Sequence, residues 1–200
     1  MLTAYYGRPS EELFAHQDTT EIAANPPQLV VGPRDLRDTM VGVVRRAQQH
    51  LAVAGSRSRD STYLNAIEEV LTNRPELVHY RLLFGPPRNS PLHDHISRLL
   101  HIRDPQDRSL GMKTLHIGLI DDERDMPERF FCASERAAVV PIPSLTSAYG
   151  FDSGVVLGPQ AAERLLDHAR QCYAAAERVE DPAALHALSP TFTPPHQDTA

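Results

Sequence analysis

The stretch HLAVAGSRSRDSTYLNAIEEVLTNRPELVHYRLLFG, residues 50–85, decides the fold. Residues 50–54 are a short, continuous apolar run of strand type, closed by Gly55. Residues 61–72 then place Tyr63, Leu64, Ile67, Val70 and Leu71 at three- and four-residue steps, the spacing of an amphipathic helix. Residues 78–84 are again strand-like. Strand, helix and strand in this length predict a right-handed parallel crossover.

The alternation continues outward. Residues 34–49 set Leu36, Met40, Val43, Val44 and Ala47 on one helical face. Pro86 and Pro87 break the chain, and residues 92–100 read as a helix whose polar face carries His93, Asp94, His95 and Arg98. Residues 113–120, 130–134, 137–144 and 154–158 read as short strands, and 159–178 as the last helix. The expected class is α/β, with a mixed, largely parallel sheet flanked by helices. The expected organisation is a helical segment over 1–16, a proline-containing linker over 17–33, the α/β domain over 34–179 and a flexible tail over 180–200.

Composition narrows the function. The chain has 200 residues, 41% of them hydrophobic, enough for a sizeable core, and a formal charge of −6, which argues against a broad nucleic-acid surface. Its N-terminus has no signal-peptide pattern and no apolar run spans a membrane, so a cytoplasmic protein without membrane association is expected. Cys132 and Cys172 stand in apolar contexts without metal-ligand spacing and are expected to be reduced.

Parallel strands present ligands at their carboxyl ends, where loops enter helices. Gly55 to Asp60 occupies such a place, and Ser56, Arg57, Ser58 and Arg59 are of the types that hold a phosphate or carboxylate. The loop is neither a Walker loop nor a dinucleotide fingerprint, and capping of the helix by Ser58, Asp60 or Ser61 is its structural alternative. Arg88 follows the second strand on the same edge and can face the same anion. His93, Asp94, His95 and His101 suggest a metal only superficially, because His93 and His95 lie about 200° apart on a helix. No metal or cofactor is expected. His116 lies in a strand, and Glu135 and Asp152 stand beside strands, where each can line a pocket or hold a turn. No Gly-x-Ser-x-Gly singles out a nucleophilic serine.

The order of elements over 38–178 resembles a phospholipase D-like half: VVRRAQQHLAVAG, then STYLNAIEEVL and VHYRLLFG, a histidine-bearing strand, and FDSGVVLGPQAAERLLDHARQCYAAA. In that family the histidine belongs to HxKxxxxD. With His116 as the histidine, Gly118 stands at the lysine and Glu123 at the aspartate. The resemblance implies the fold, while the missing cation speaks against phosphodiester attack. Residues 2–14, LTAYYGRPSEELF, resemble the closing helices of an XRE-type helix-turn-helix unit, as found before such domains in actinobacterial regulators. Together these imply the non-catalytic, ligand-sensing domain of a transcription regulator, a homodimer that binds an anionic small molecule. Contact with DNA would run only through a helix-turn-helix unit that this chain does not hold complete. The alternative is a divergent phosphodiesterase or phosphotransferase with His116 as nucleophile, assisted by Glu135 or Asp152.

Overall fold

The structure, a computed structural model, describes residues 26–103, 114–120, 129–147 and 150–188. The expected helical segment over 1–16 and Glu123 lie outside these residues. Eight strands form one sheet: β1 (Gln28–Val31), β2 (His50–Ala54), β3 (Val78–Phe84), β4 (Leu115–Ile120), β5 (Phe131–Ser134), β6 (Ala138–Pro143), β7 (Phe151–Leu157) and β8 (Glu177–Arg178). Their order across the sheet is β1-β7-β6-β5-β2-β3-β4-β8. The ladders β2–β3 and β3–β4 are parallel and the other neighbouring pairs antiparallel. The sheet is mixed: its parallel part is β2-β3-β4, of which β2 and β3 are the strand–helix–strand unit legible at residues 50–85, and the five other ladders are antiparallel.

The helices are α1 (Pro33–Arg46), α2 (Ser61–Asn73), α3 (Ser90–Ile102), α4 (Pro159–Ala175) and α5 (Pro182–Leu188). One face of the sheet packs against α1, α2, α3 and α5 through a core that includes Leu36, Val44, Leu64, Ile67, Ile96, Leu99 and Leu185. The other face packs against α4 through Ala52, Leu82, Ala133, Ala162, Leu166 and Ala169. Alternation along β3 divides the two: His79, Arg81 and Leu83 point to the side of α1, α2, α3 and α5, Tyr80, Leu82 and Phe84 to α4.

Local chemistry starts the helices. Asp60 caps α2, its carboxylate accepting the Tyr63 N–H at 2.9 Å, and Asn89 caps α3 by accepting the Leu92 N–H at 2.9 Å. Pro33 and Pro159 open α1 and α4, where a missing N–H costs nothing.

Three readings of the sequence need correction. Residues 28–31, inside the stretch read as linker, are an edge strand, because Leu29 and Val30 supply β character after Pro26-Pro27 and pair with Val155 and Gly154 of β7. Pro182–Leu188, inside the stretch read as a frayed tail, is helical. Asp181 caps it by accepting the Ala184 N–H at 2.8 Å, and Leu185 is 1% exposed. His95, read as part of a solvated face, is fully buried, because it stands three residues after Leu92 and four before Leu99, within the apolar stripe.

Candidate functional site

At the carboxyl end of β2 the chain turns through Gly55, whose φ is +126° and whose N–H donates to the Leu82 carbonyl at 3.0 Å. A Cβ here would lie 2.6 Å from the Phe130 ring, so both backbone and space require glycine. Ser56 follows, fully buried. Its hydroxyl accepts the Phe84 N–H at 2.7 Å and its carbonyl accepts the Arg88 N–H at 2.9 Å. Ser56 therefore ties the loops after β2 and β3 together. Its hydroxyl, expected to bind a ligand, is 0% exposed and accepts a backbone N–H, and Ser56 lines neither of the hollows described next.

Two hollows open beside these loops. One, of about 210 Å³, is lined by Arg57, Arg59, Arg88 and Asn89. The other, of about 280 Å³, runs under the first turns of α1 and has Arg57, Ser58 and Arg59 on its wall. Arginines from the two loops thus line one space, as their positions at parallel strand ends imply. Arginine donates only, through a fork that matches phosphate and carboxylate oxygens, so residues of this type can bind an anion. Asp60 also lines the larger hollow, with its carboxylate engaged in capping α2.

The other expected residues lie elsewhere. His116 is on the α4 face, its ring stacked on Tyr80 at 4.7 Å and 16° and edge-on to Tyr173 at 5.0 Å. It pairs with Tyr80, four positions before Ile120 pairs with Phe84, which puts it about 13 Å from the strand end. Gly118, at the lysine position, is a packing residue: a Cβ there would meet the Ala176 Cβ at 2.9 Å and Tyr173 Cδ2 at 3.2 Å. No lysine side chain fits beneath α4.

Glu135 sits at the opposite end of β2, in the turn after β5. Its carboxylate accepts the backbone N–H groups of Gln48, Gln49 and His50 at 2.8, 3.4 and 3.2 Å. Burial pushes its pKa up, but backbone donors, its own and those of these three residues, outweigh burial and hold it below the usual carboxylate value. Its role is to cap the α1–β2 turn. Asp152 is exposed on β7, its carbonyl accepting the Gly32 N–H at 2.7 Å, and only its neighbour Phe151 lines the larger hollow.

Cys132 is buried and Cys172 half-buried, both as free thiols, and burial pushes Cys132 up to about 11. No group of three or more His, Cys, Asp or Glu side chains able to hold a metal occurs among the described residues. None of the described helices is long and apolar enough to cross a membrane.

Sequence reasoning missed two features. The aromatic wall of the larger hollow, with Tyr63, Phe130, Phe131 and Phe151, is signalled only by the Phe130-Phe131 doublet before β5. The chain from buried Arg81 through buried His95 to half-buried Glu68 was signalled by an arginine at an inward position of a largely apolar strand.

No family model matches the chain, and no curated protein matches it in sequence. Solved structures do share its fold. Nuc from Salmonella typhimurium, a phospholipase D family member, superposes with a TM-score of 0.53 at 12% identity, over 78% of this chain and 100% of that one. NucT from Helicobacter pylori gives 0.54 at 8%, over 77% and 99%. TrmBL2, an archaeal chromatin protein described with a novel mode of DNA binding, gives 0.50 at 13%, over 81% of this chain and 57% of that one. The chain therefore spans a little over half of TrmBL2 and all but the whole of Nuc and NucT. Identities this low show the fold alone, and the fold is phospholipase D-like.

Proposed function

We propose that this chain is a non-catalytic, ligand-sensing domain that binds an anionic small molecule at the carboxyl ends of β2 and β3. The observation that carries this reading is the gathering of Arg57, Arg59 and Arg88 with Asn89 around one hollow, on two loops tied together by Ser56. The sensing domain serves the effector half of an XRE-type transcription regulator. Support for that part comes from residues 2–14, which resemble the end of a helix-turn-helix unit, and from the occurrence of the same fold in the chromatin protein TrmBL2. Two copies pair, and ligand binding shifts their packing. A solution mass that stays at one chain at high concentration would remove the dimer from the proposal.

Catalysis by His116 draws no support from its surroundings. The ring is sandwiched between Tyr80 and Tyr173, and the space beside it that a lysine would need is filled by α4.

Calorimetric titration with inorganic phosphate and methyl phosphate tests the binding. The double variant Arg57→Ala/Arg59→Ala is expected to lose at least about tenfold in affinity, the order of one charge-assisted contact, with an unchanged circular dichroism spectrum. Equal affinity in the double variant would place the anion elsewhere.

A further inference from the structure

We infer that the ligand of this site is an amphipathic anion, with a single phosphate or carboxylate head among the arginines and an apolar body laid in the hollow beneath α1. The inference rests on the anion-binding reading above and narrows it. Its basis is that the two hollows share Arg57 and Arg59 while their remaining walls differ in kind. The smaller is lined by arginine and asparagine alone, their polar ends carried on apolar stems. The larger is walled by Leu36 and Met40 of α1, Tyr63 of α2, and the rings of Phe130, Phe131 and Phe151.

These apolar walls are pre-formed. Phe130 meets Phe151 edge-to-face at 4.5 Å and is pressed against Gly55, while Leu36, Tyr63 and Phe131 are 3–4% exposed. Arg37, which also lines the larger hollow, is paired with Asp38 at 3.0 Å, so its charge is already answered on α1. Arg57 and Arg59, shared by both hollows, thus stand beside Ser58 and Asp60 in a trough whose other walls are largely apolar. A bare inorganic anion would use only the polar groups and leave the partly exposed walls, Met40, Phe130 and Phe151, in contact with water. A ligand with an apolar body buries them, and this is the arrangement by which small-molecule sites combine apolar area with a few polar anchors. A volume of about 280 Å³ equals roughly nine water volumes, which sets the body at about nine non-hydrogen atoms.

Titrating the full chain with n-alkyl phosphates and n-alkanoates of increasing length, below their micellar concentrations, tests this. Affinity is expected to rise about fourfold per methylene in at least one series until the hollow is full. The series that binds identifies the head group. Met40→Gln, at a partly exposed wall position, is expected to flatten that rise while leaving the methyl phosphate or acetate affinity unchanged. A flat series in both cases, with short anions still lost in Arg57→Ala/Arg59→Ala, would overturn the apolar body and leave the anion site standing. A rise that persists in Met40→Gln would also overturn it, since the body would then lie elsewhere. No saturable binding by any member, or binding indifferent to the arginine double variant, would overturn the inference together with the reading it rests on.

Discussion

His95 Nε2 lies 2.7 Å from Arg81 Nη2, and its Nδ1 lies 2.6 Å from Glu68 Oε1, so a fully buried imidazole bridges a buried guanidinium to a carboxylate at the surface. The partners fix its proton. Arginine can only donate, so Nε2 accepts, and the carboxylate takes the Nδ1 proton. His95 is neutral by construction, and burial first, then Arg81, then His79 and Arg98, hold its pKa far below the usual imidazole value.

Acid should therefore destabilise this protein early. His79 is also fully buried, with its pKa pushed well down by burial and by Arg81, Arg103 and His116. Both groups have folded pKa values below their unfolded ones, so the unfolded chain takes up protons first. The stability they protect is complete above the unfolded histidine pKa of about 6.5 and falls below it by about 1.4 kcal/mol per pH unit for each. Urea unfolding from about pH 7.5 down to about pH 5 should show this slope, and His79→Leu should reduce it. A pH-independent stability across that range would contradict the buried, neutral assignment.

Breaking the trio and replacing it should have opposite consequences. Glu68→Gln leaves the buried Arg81 cation without its carboxylate and should cost about 3 kcal/mol. Arg81→Met removes the cation together with Nε and Nη1, which have no hydrogen-bond partner among the described residues, and should fall within about 1 kcal/mol of the parent or exceed it. Arg98, half exposed on the outer side of Glu68, should contribute under about 1 kcal/mol when replaced by alanine. Chemical denaturation of the three variants checks the order.

Restoring the missing lysine should not restore chemistry. Gly118→Lys would drive a side chain into Tyr173 and Ala176 and should destabilise by more than the roughly 1–3 kcal/mol of ordinary overpacking, with no phosphodiesterase activity gained. Turnover of a phosphodiester panel by this variant would revive His116 as a nucleophile.

Glu135→Ala should separate structure from binding. Loss of the carboxylate strands the N–H groups of Gln48, Gln49 and His50 and should cost about 2 kcal/mol, with anion affinity unchanged. Because the Glu135 pKa is depressed by folding, its stabilisation is present above the unfolded carboxyl value and is lost as pH falls through the folded one. A wild-type-like stability curve in acid for the variant, or a loss of anion affinity, would refute the capping role.

Those residues whose local pattern and tertiary role coincide were legible in the sequence. The strand–helix–strand unit announced itself because period and turn chemistry agree from His50 to Phe84, and Arg57, Arg59 and Arg88 could be assigned to one edge because parallel strands end together. Hidden features depend on distant partners. Ser56 looks like a ligand residue until the Phe84 N–H is found on its hydroxyl, and Glu135 looks catalytic until the turn it caps, more than eighty residues away in sequence, comes into place. His116 lies apart from the arginines for a related reason: alternation sends it to the α4 face, and only the packed helix shows its ring against Tyr80 and Tyr173. Strand β1 was obscured by Pro26-Pro27, whose linker-like character describes the chain up to the strand and not the strand itself.

That edge strand also gives the site a mechanical connection. Between Val31 and Pro33 the chain passes only Gly32, a left-handed corner at φ +104° whose N–H is held by the Asp152 carbonyl. On one side of the corner, Pro33 and Leu36 wall the larger hollow; on the other, β1 leads directly back toward residue 26. Strand β1 is thus fastened by a single residue to the wall a ligand would touch, a linkage short enough to carry a displacement of α1 into the sheet edge without slack.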